Sequence, residues 1–115
     1  MIDITVLNYL KGKIDVPVLM EVPEKEVPDR FVIVQKIGGG KRNHILSASF
    51  AFRSYSLSSL YAAASLDEEV RAAMDDMAEL SSIGSCRIAS NYEFTDTRTK
   101  RYRYQCTYDI NYKED

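Results

Sequence analysis

One histidine, His44, and two cysteines, Cys86 and Cys106, are the side chains best suited to nucleophilic or metal chemistry in this chain. A nucleophilic thiol or hydroxyl needs a base within hydrogen-bond reach, and His44 stands in no recognisable arrangement with either cysteine or with the serines. Zinc needs His, Cys or carboxylate ligands at short spacing, which a single histidine beside a turn does not provide. The sequence therefore nominates no catalytic residue, no cofactor and no metal ligand. His44 is expected as a solvent-exposed turn residue, and enzyme activity is not expected. Gly38-Gly39-Gly40-Lys41-Arg42 superficially looks like a phosphate-binding loop. It lacks the outer glycine, the spacing and the Ser or Thr after Lys, and a strand pattern follows it, so the stretch Gly38 to Asn43 reads as a hairpin turn.

Two further patterns could bind rather than react. Eight tyrosines and no tryptophan make a skewed aromatic set, and aromatic rows on a sheet stack bases. On an open face, Tyr102, Tyr104 and Tyr108 with Arg101 and Arg103 would form a platform for single strands. Packed beneath helices, the same tyrosines are core, with hydroxyls reaching the rim, and that is the expectation here. The second pattern is charge. With 15 basic and 17 acidic side chains the net charge is −2, which argues against a dedicated nucleic-acid binder. Asp67, Glu68, Glu69, Asp75, Asp76 and Glu79 stand against Arg71 alone on one helical segment. Lys41 and Arg42 mark one turn, and Arg98, Lys100, Arg101 and Arg103 the other. Ordinary solvated charge accounts for this. So does a head-to-tail contact between an acidic helix and the basic loops of the next copy, the heterologous geometry that closes into rings.

The elements that position these residues follow from periodicity. Ile2, Val6, Tyr9 and Leu10 repeat at helical spacing, with Asp3 as a candidate N-cap and Gly12 as a stop. Val16 to Met20 fits a short edge strand, since Pro17, Pro23 and Pro28 exclude a central one. Glu21 to Arg30 reads as an exposed arm or loop. Phe31, Ile33, Gln35 and Ile37 alternate with Val32, Val34 and Lys36, and Leu46, Ala48, Phe50 and Phe52 alternate with Ser47, Ser49 and Arg53. Ser56 or Ser58 then caps a helix whose apolar side is Leu57, Leu60, Ala64, Val70, Met74 and Met77, with further caps at Ser65 and Asp67 leaving open two pieces and Gly84 ending the region. Finally, Ile88, Ser90, Tyr92 and Phe94 share one strand face, and Tyr102, Tyr104, Cys106, Tyr108, Ile110 and Tyr112 one face of its partner. The reverse face, Arg101, Arg103, Gln105, Thr107, Asp109 and Asn111, is wholly polar, which describes a sheet packed on one side and wet on the other.

The expected fold is α+β, a mainly antiparallel four- or five-stranded sheet with two helices on one face, in the order α, β, β, β, α, β, β. At 115 residues this is one domain, 1–115. The start of the chain lacks a basic and then apolar leader pattern, and no apolar run approaches the ~20 residues of a membrane span, so a cytoplasmic site of synthesis and assembly is expected. Cys86 and Cys106 on paired strands should lie roughly 14 to 20 Å apart, beyond disulfide reach.

The run Pro28-Asp29-Arg30-Phe31-Val32-Ile33-Val34, a polar turn, Ala48-Ser49-Phe50-Ala51-Phe52-Arg53-Ser54-Tyr55, and a helix containing Leu66-Asp67-Glu68-Glu69-Val70-Arg71-Ala72-Ala73-Met74 resembles the small tail-completion or tail-terminator proteins of long-tailed bacteriophages. The ending, Asn91 to Tyr112, resembles the basic turn and last strand of that family. The likeness covers essentially the whole chain in pattern and element order, without a diagnostic motif, and departs from the family in the polar, proline-rich stretch Glu21 to Arg30. It implies a structural role, in which copies form a hexameric ring at the head-proximal end of the tail tube, ending tail polymerisation and joining tail to head. The implied partners are the chain itself, the tail tube protein and a head-completion or connector protein, with DNA only passing through the channel and no membrane. The implied location is the virion. On this reading Lys41, Arg42, Arg98, Lys100 and Arg101 lie at the channel or at partner contacts, and Asp67, Glu68, Asp75, Asp76 and Glu79 form the acidic face between subunits. The alternative is a small RNA- or single-strand-binding module built on the tyrosine-bearing sheet.

Overall fold

The computed structural model describes residues 1–99 and 101–113. In chain order the elements are α1 (Ile2–Lys11), β1 (Val18–Leu19), β2 (Arg30–Arg42), β3 (Ile45–Ser56), α2 (Leu60–Asp75), a single 3-10 turn (Met77–Glu79), β4 (Ile83–Glu93) and β5 (Tyr102–Tyr112). The strands form one sheet in the order β1-β2-β3-β5-β4. Only the two-residue β1 pairs parallel, with Val32 and Ile33 of β2, and the other three pairings are antiparallel. The fold is α+β in the expected element order, with a mixed sheet.

Alternation decides which side of each strand is packed. Val32 and Val34 of β2, Ala48, Phe50 and Phe52 of β3, and Cys106, Tyr108 and Ile110 of β5 join Ile2, Val6 and Leu10 of α1 and Leu66, Val70 and Met74 of α2 in one core. Both helices thus cover the same face. Burying a large apolar side chain there is worth about 1.5–3 kcal/mol, enough to explain why the polar reverse side of β5 stays out. The second face is wet only in part. Phe31, Ile33 and Tyr55 form a smaller cluster on it, covered by Leu19, Val22 and Val27, with the Phe31 and Tyr55 rings stacked at 4.6 Å. The stretch expected as an exposed arm therefore lays its two valines over one end of the sheet, and Glu26 takes a left-handed backbone, φ 53°, within it.

Several boundaries differ from the sequence expectation. The three glycines do not form the turn. Gly38, Gly39 and Gly40 remain in β2, paired with Ser49, Ala48 and Ser47, and the chain reverses at Asn43-His44 between the paired Arg42 and Ile45. Asn43 and His44 have φ of 51° and 66°, the two positive values of a two-residue I′ turn, whose twist matches the flanking strands. Asn adopts that region more readily than most residues. The α1 N-cap is Met1 rather than Asp3. The α2 cap is Ser59 rather than Ser56 or Ser58, its hydroxyl accepting from the Ala62 N–H at 3.0 Å. From there α2 runs as one helix, and Leu57 and Leu60, expected on its apolar side, are exposed. Gly84 lies inside β4, skipped by the ladder as one of two bulges, the other being Ala89.

The Ala89 bulge matters most. It shifts the alternation by one residue, so Ile88, opposite Tyr108, shares the helix-covered face, whereas Ser90 and Tyr92, opposite Thr107 and Gln105, lie on the reverse side. The expected single row from Ile88 to Phe94 is thereby split between the two faces.

Candidate functional site

The acidic surface is set by α2. Ala63, Leu66, Val70, Ala73 and Met74 are buried toward the sheet, which leaves Glu68, Glu69, Asp75 and Asp76 exposed, followed by Glu79 in the 3-10 turn. Asp75 accepts a 2.9 Å hydrogen bond from the Tyr108 hydroxyl, which also lies 3.2 Å from the Arg71 carbonyl oxygen. Burial and then the bond to Asp75 push the Tyr108 pKa well up. Asp75 and Asp76 stand at the C-terminal end of α2, where the helix dipole is already negative and each acid is unfavourable by about 0.3–1 kcal/mol. No basic residue occupies the last turn. Among the described residues the one ion pair is Arg71 with Asp67, so the acids at this helix end lack an ion-pair partner.

Asp67 itself does not belong to that surface. Expected on the acidic face, it is only 1% exposed and points toward β4 and β5. Its Oδ2 accepts from Arg71 Nε at 2.9 Å and from Asn91 Nδ2 at 2.8 Å, while Oδ1 has no hydrogen-bond partner. The Arg71 pKa is raised, chiefly by its bond to Asp67. Cys106 lies against the same carboxylate, and burial first, then the negative charge of Asp67, raise its thiol far above the ordinary range. Burial and the charge of Asp75 push Cys86 up to about 11. Both cysteines are free, and both stay protonated at neutral pH. The Asp67 cluster ties α2 to the bulged strand.

The basic turns lie apart. β2 leads to the Asn43-His44 turn at one end of the sheet, and β4 leads to the Asp96–Arg101 turn at the other, because β2 and β4 run in opposite directions. The molecule measures 45 Å along its longest axis. The structure therefore does not gather the expected cations into one patch. Lys41 and Arg42, with the exposed His44, stand at one end, and the exposed Arg98 and half-buried Arg101 at the other; Lys100 lies outside the described residues. The second turn is organised by Asp96, whose Oδ1 accepts from the backbone N–H of Arg98 at 3.0 Å and of Thr99 at 3.4 Å. The Arg98 N–H is the main reason the Asp96 carboxyl is held below its usual range.

On the reverse face a polar belt crosses four strands. Arg53 donates from Nη1 to Gln35 Oε1 at 2.6 Å and from Nε to Gln105 Oε1 at 2.9 Å, and Gln105 Nε2 donates to the Tyr92 hydroxyl at 2.6 Å. Beside it Arg103 stacks over Phe94 at 4.2 Å and donates to the Tyr55 hydroxyl at 3.2 Å. Tyr92 and Phe94 meet edge to face at 5.9 Å and are both exposed. This aromatic and cationic patch was not expected, since the Ala89 bulge that creates it leaves no hydrophobic signature. Of the tyrosine row that was expected, Tyr108 lies fully buried beneath α2, while Tyr102 and Tyr104 are half-buried.

A cleft of about 510 Å³ opens beside the α1 N-terminus, lined by Asp3, Thr5, Lys36, Ser82, Tyr112 and Lys113 among others. Among the described residues no three His, Cys, Asp or Glu side chains are grouped to hold a metal ion, and no helix is long and apolar enough to cross a membrane. Compared with protein-family models and with curated proteins, the chain matches none.

Proposed function

We propose that this protein is a structural subunit of a long-tailed phage, forming a ring at the head-proximal end of the tail tube that stops tail growth and joins tail to head. The observation that carries the reading is the separation of charge. An acidic helix end with no ion-pair partner among the described residues, at Asp75, Asp76 and Glu79, and basic turns at both extremes of a 45 Å molecule favour contact between unlike surfaces of successive copies. Heterologous contacts of this kind close into rings. The element order α, β, β, β, α, β, β is the one expected from the residue pattern on which the resemblance rests. On this reading one basic turn meets the tail tube and the other the head connector, DNA passes through the channel, and the assembled protein resides in the virion.

The reading is tested by adding purified protein to heads and to tails lacking it and counting joined particles. Wild-type protein is expected to restore joining. Arg98→Glu with Arg101→Glu is expected to reduce joining at least about tenfold with the circular dichroism spectrum unchanged, and normal joining by that variant would remove this role for the turn.

A second reading, a module for RNA or single strands, is favoured by one observation, the exposed Tyr92 and Phe94 beside Arg103 on the reverse face. Steeply salt-dependent binding to oligonucleotides would support it. No binding at low salt would dismiss it.

A further inference from the structure

β2 and β4 are long strands with an unpaired side each. Among the described residues no strand lies beyond β4, and β1 covers β2 only at Val32 and Ile33 and the Val34 N–H. From Lys36 to Arg42 one side of β2 therefore carries an open row of peptide groups, interrupted by the bulge at Ile37. Val32 donates its N–H outward to the Pro17 carbonyl oxygen at 2.9 Å, so ladder alternation turns the N–H groups of Val34 and Lys36 to the same side, where the parallel pairing with Leu19 takes that of Val34 and leaves that of Lys36 free. Open edges of this kind are templates for a strand from another chain.

The two edges match in level and direction. Across the sheet, Lys36 is level with Phe50, Tyr108 and Ile88; Gly38 with Ser49, Asp109 and Arg87; and Gly40 with Ser47, Asn111 and Ser85. The bulges at Gly84 and Ala89 leave Ser85 to Ile88 as a straight run of β4, level with Gly40, Gly39, Gly38 and, across the bulge at Ile37 of β2, Lys36. Because β4 runs opposite to β2, a second copy whose sheet continues the first would lay its β2 antiparallel to β4 with these levels facing.

Chemistry on the two edges is complementary. Lys36, Lys41 and Arg42 lie on the β2 edge. The exposed flank of α2 carries Glu68 and Asp75, the latter near enough to Cys86 of β4 to raise its thiol pKa. Ile37 and Ile88, one on each edge, are 51% and 47% exposed. The glycines point the same way. No glycine has a positive φ, and a Cβ on Gly38 would meet only Ser49 Cβ at 3.9 Å, one on Gly40 only Ser47 Oγ at 3.6 Å. Nothing within one copy requires glycine at either place, although each weakens the strand by roughly 0.5–1 kcal/mol relative to Ala. Glycine inside a strand is found where another backbone approaches closely.

We propose that β4 of one copy pairs with the free Lys36 to Arg42 edge of β2 in a second copy, making the sheets continuous across each subunit contact. This rests on the ring reading and names the surfaces that build it. The test uses Arg87→Cys with Gly38→Cys, and separately Ser85→Cys with Gly40→Cys, both in a Cys86→Ser background. Each is oxidised alone and on purified tails lacking the protein, with the assembly size read by native mass spectrometry. The expected result is a covalent ladder reaching the size of the assembly, while single-cysteine controls stop at dimers. Lys36→Pro removes one outward N–H and leaves the β3 side untouched, so it should weaken assembly about tenfold, as loss of one hydrogen bond predicts, with the fold retained by circular dichroism. Assembly without a ladder, and unaffected by Lys36→Pro, would overturn the edge pairing while the ring stands. A monomer at all concentrations and on tails would overturn both.

Discussion

Replacing Phe52 by Ala is expected to destabilise the domain by about 3–5 kcal/mol. Phe52 is fully buried at the middle of β3, between Val34 and Cys106 in register. Its ring centroid lies 6.1 Å from that of Phe50 and 6.0 Å from that of Tyr108, the latter edge to face, and α2 closes the space above. The sheet backbone is held on both sides and does not collapse into the void, so the loss includes a cavity term as well as lost transfer energy. Domains of this kind are stable by about 5–15 kcal/mol in all, which makes one truncation a large share. Urea titration should show a lower midpoint with an unchanged slope. Phe94→Ala, on the exposed end of the reverse face, should change stability little in the same assay. Equal losses at the two positions would contradict the assigned faces.

The second large effect is asymmetric. Arg71→Ala leaves the Asp67 carboxylate buried, with Asn91 as its one remaining donor, and should cost about 3 kcal/mol, the lower range for breaking a buried pair. Asp67→Asn leaves instead a guanidinium that is 35% exposed and reaches water, so the loss should be nearer 1–2 kcal/mol. Asp67→Leu with Arg71→Met should recover most of the stability lost in Arg71→Ala, because an apolar replacement removes the buried charge together with its partner. Equal costs for the two single substitutions would show that the pair acts as a surface bridge.

Much of this fold was legible because alternation was strict where the sheet is packed. The row from Tyr102 to Tyr112 could only be one face of a strand, and Val70, Met74 and Met77 at helical spacing needed a sheet beneath them. What stayed hidden has physical reasons. A bulge adds one residue without changing hydrophobicity, so Ala89 gave no warning that Tyr92 and Phe94 would leave the face of Ile88. Three glycines outweighed Asn43-His44 as a turn signal, although two positive φ values suit Asn better than an added run of strand residues. Asp67 was indistinguishable from its exposed neighbours in an acidic run. Its partners at Arg71 and Asn91 become partners only once α2 lies beside β4. The charged turns were visible, but their placement at opposite ends depends on strand order, which no single segment encodes.

The proposed terminator role is most directly tested by electron microscopy of lysates from a phage or prophage found to carry this gene, with the gene deleted and then restored. Deletion should give filled heads beside unattached or overlong tails, and restoration should return complete virions. Normal virions from the deletion would contradict the account.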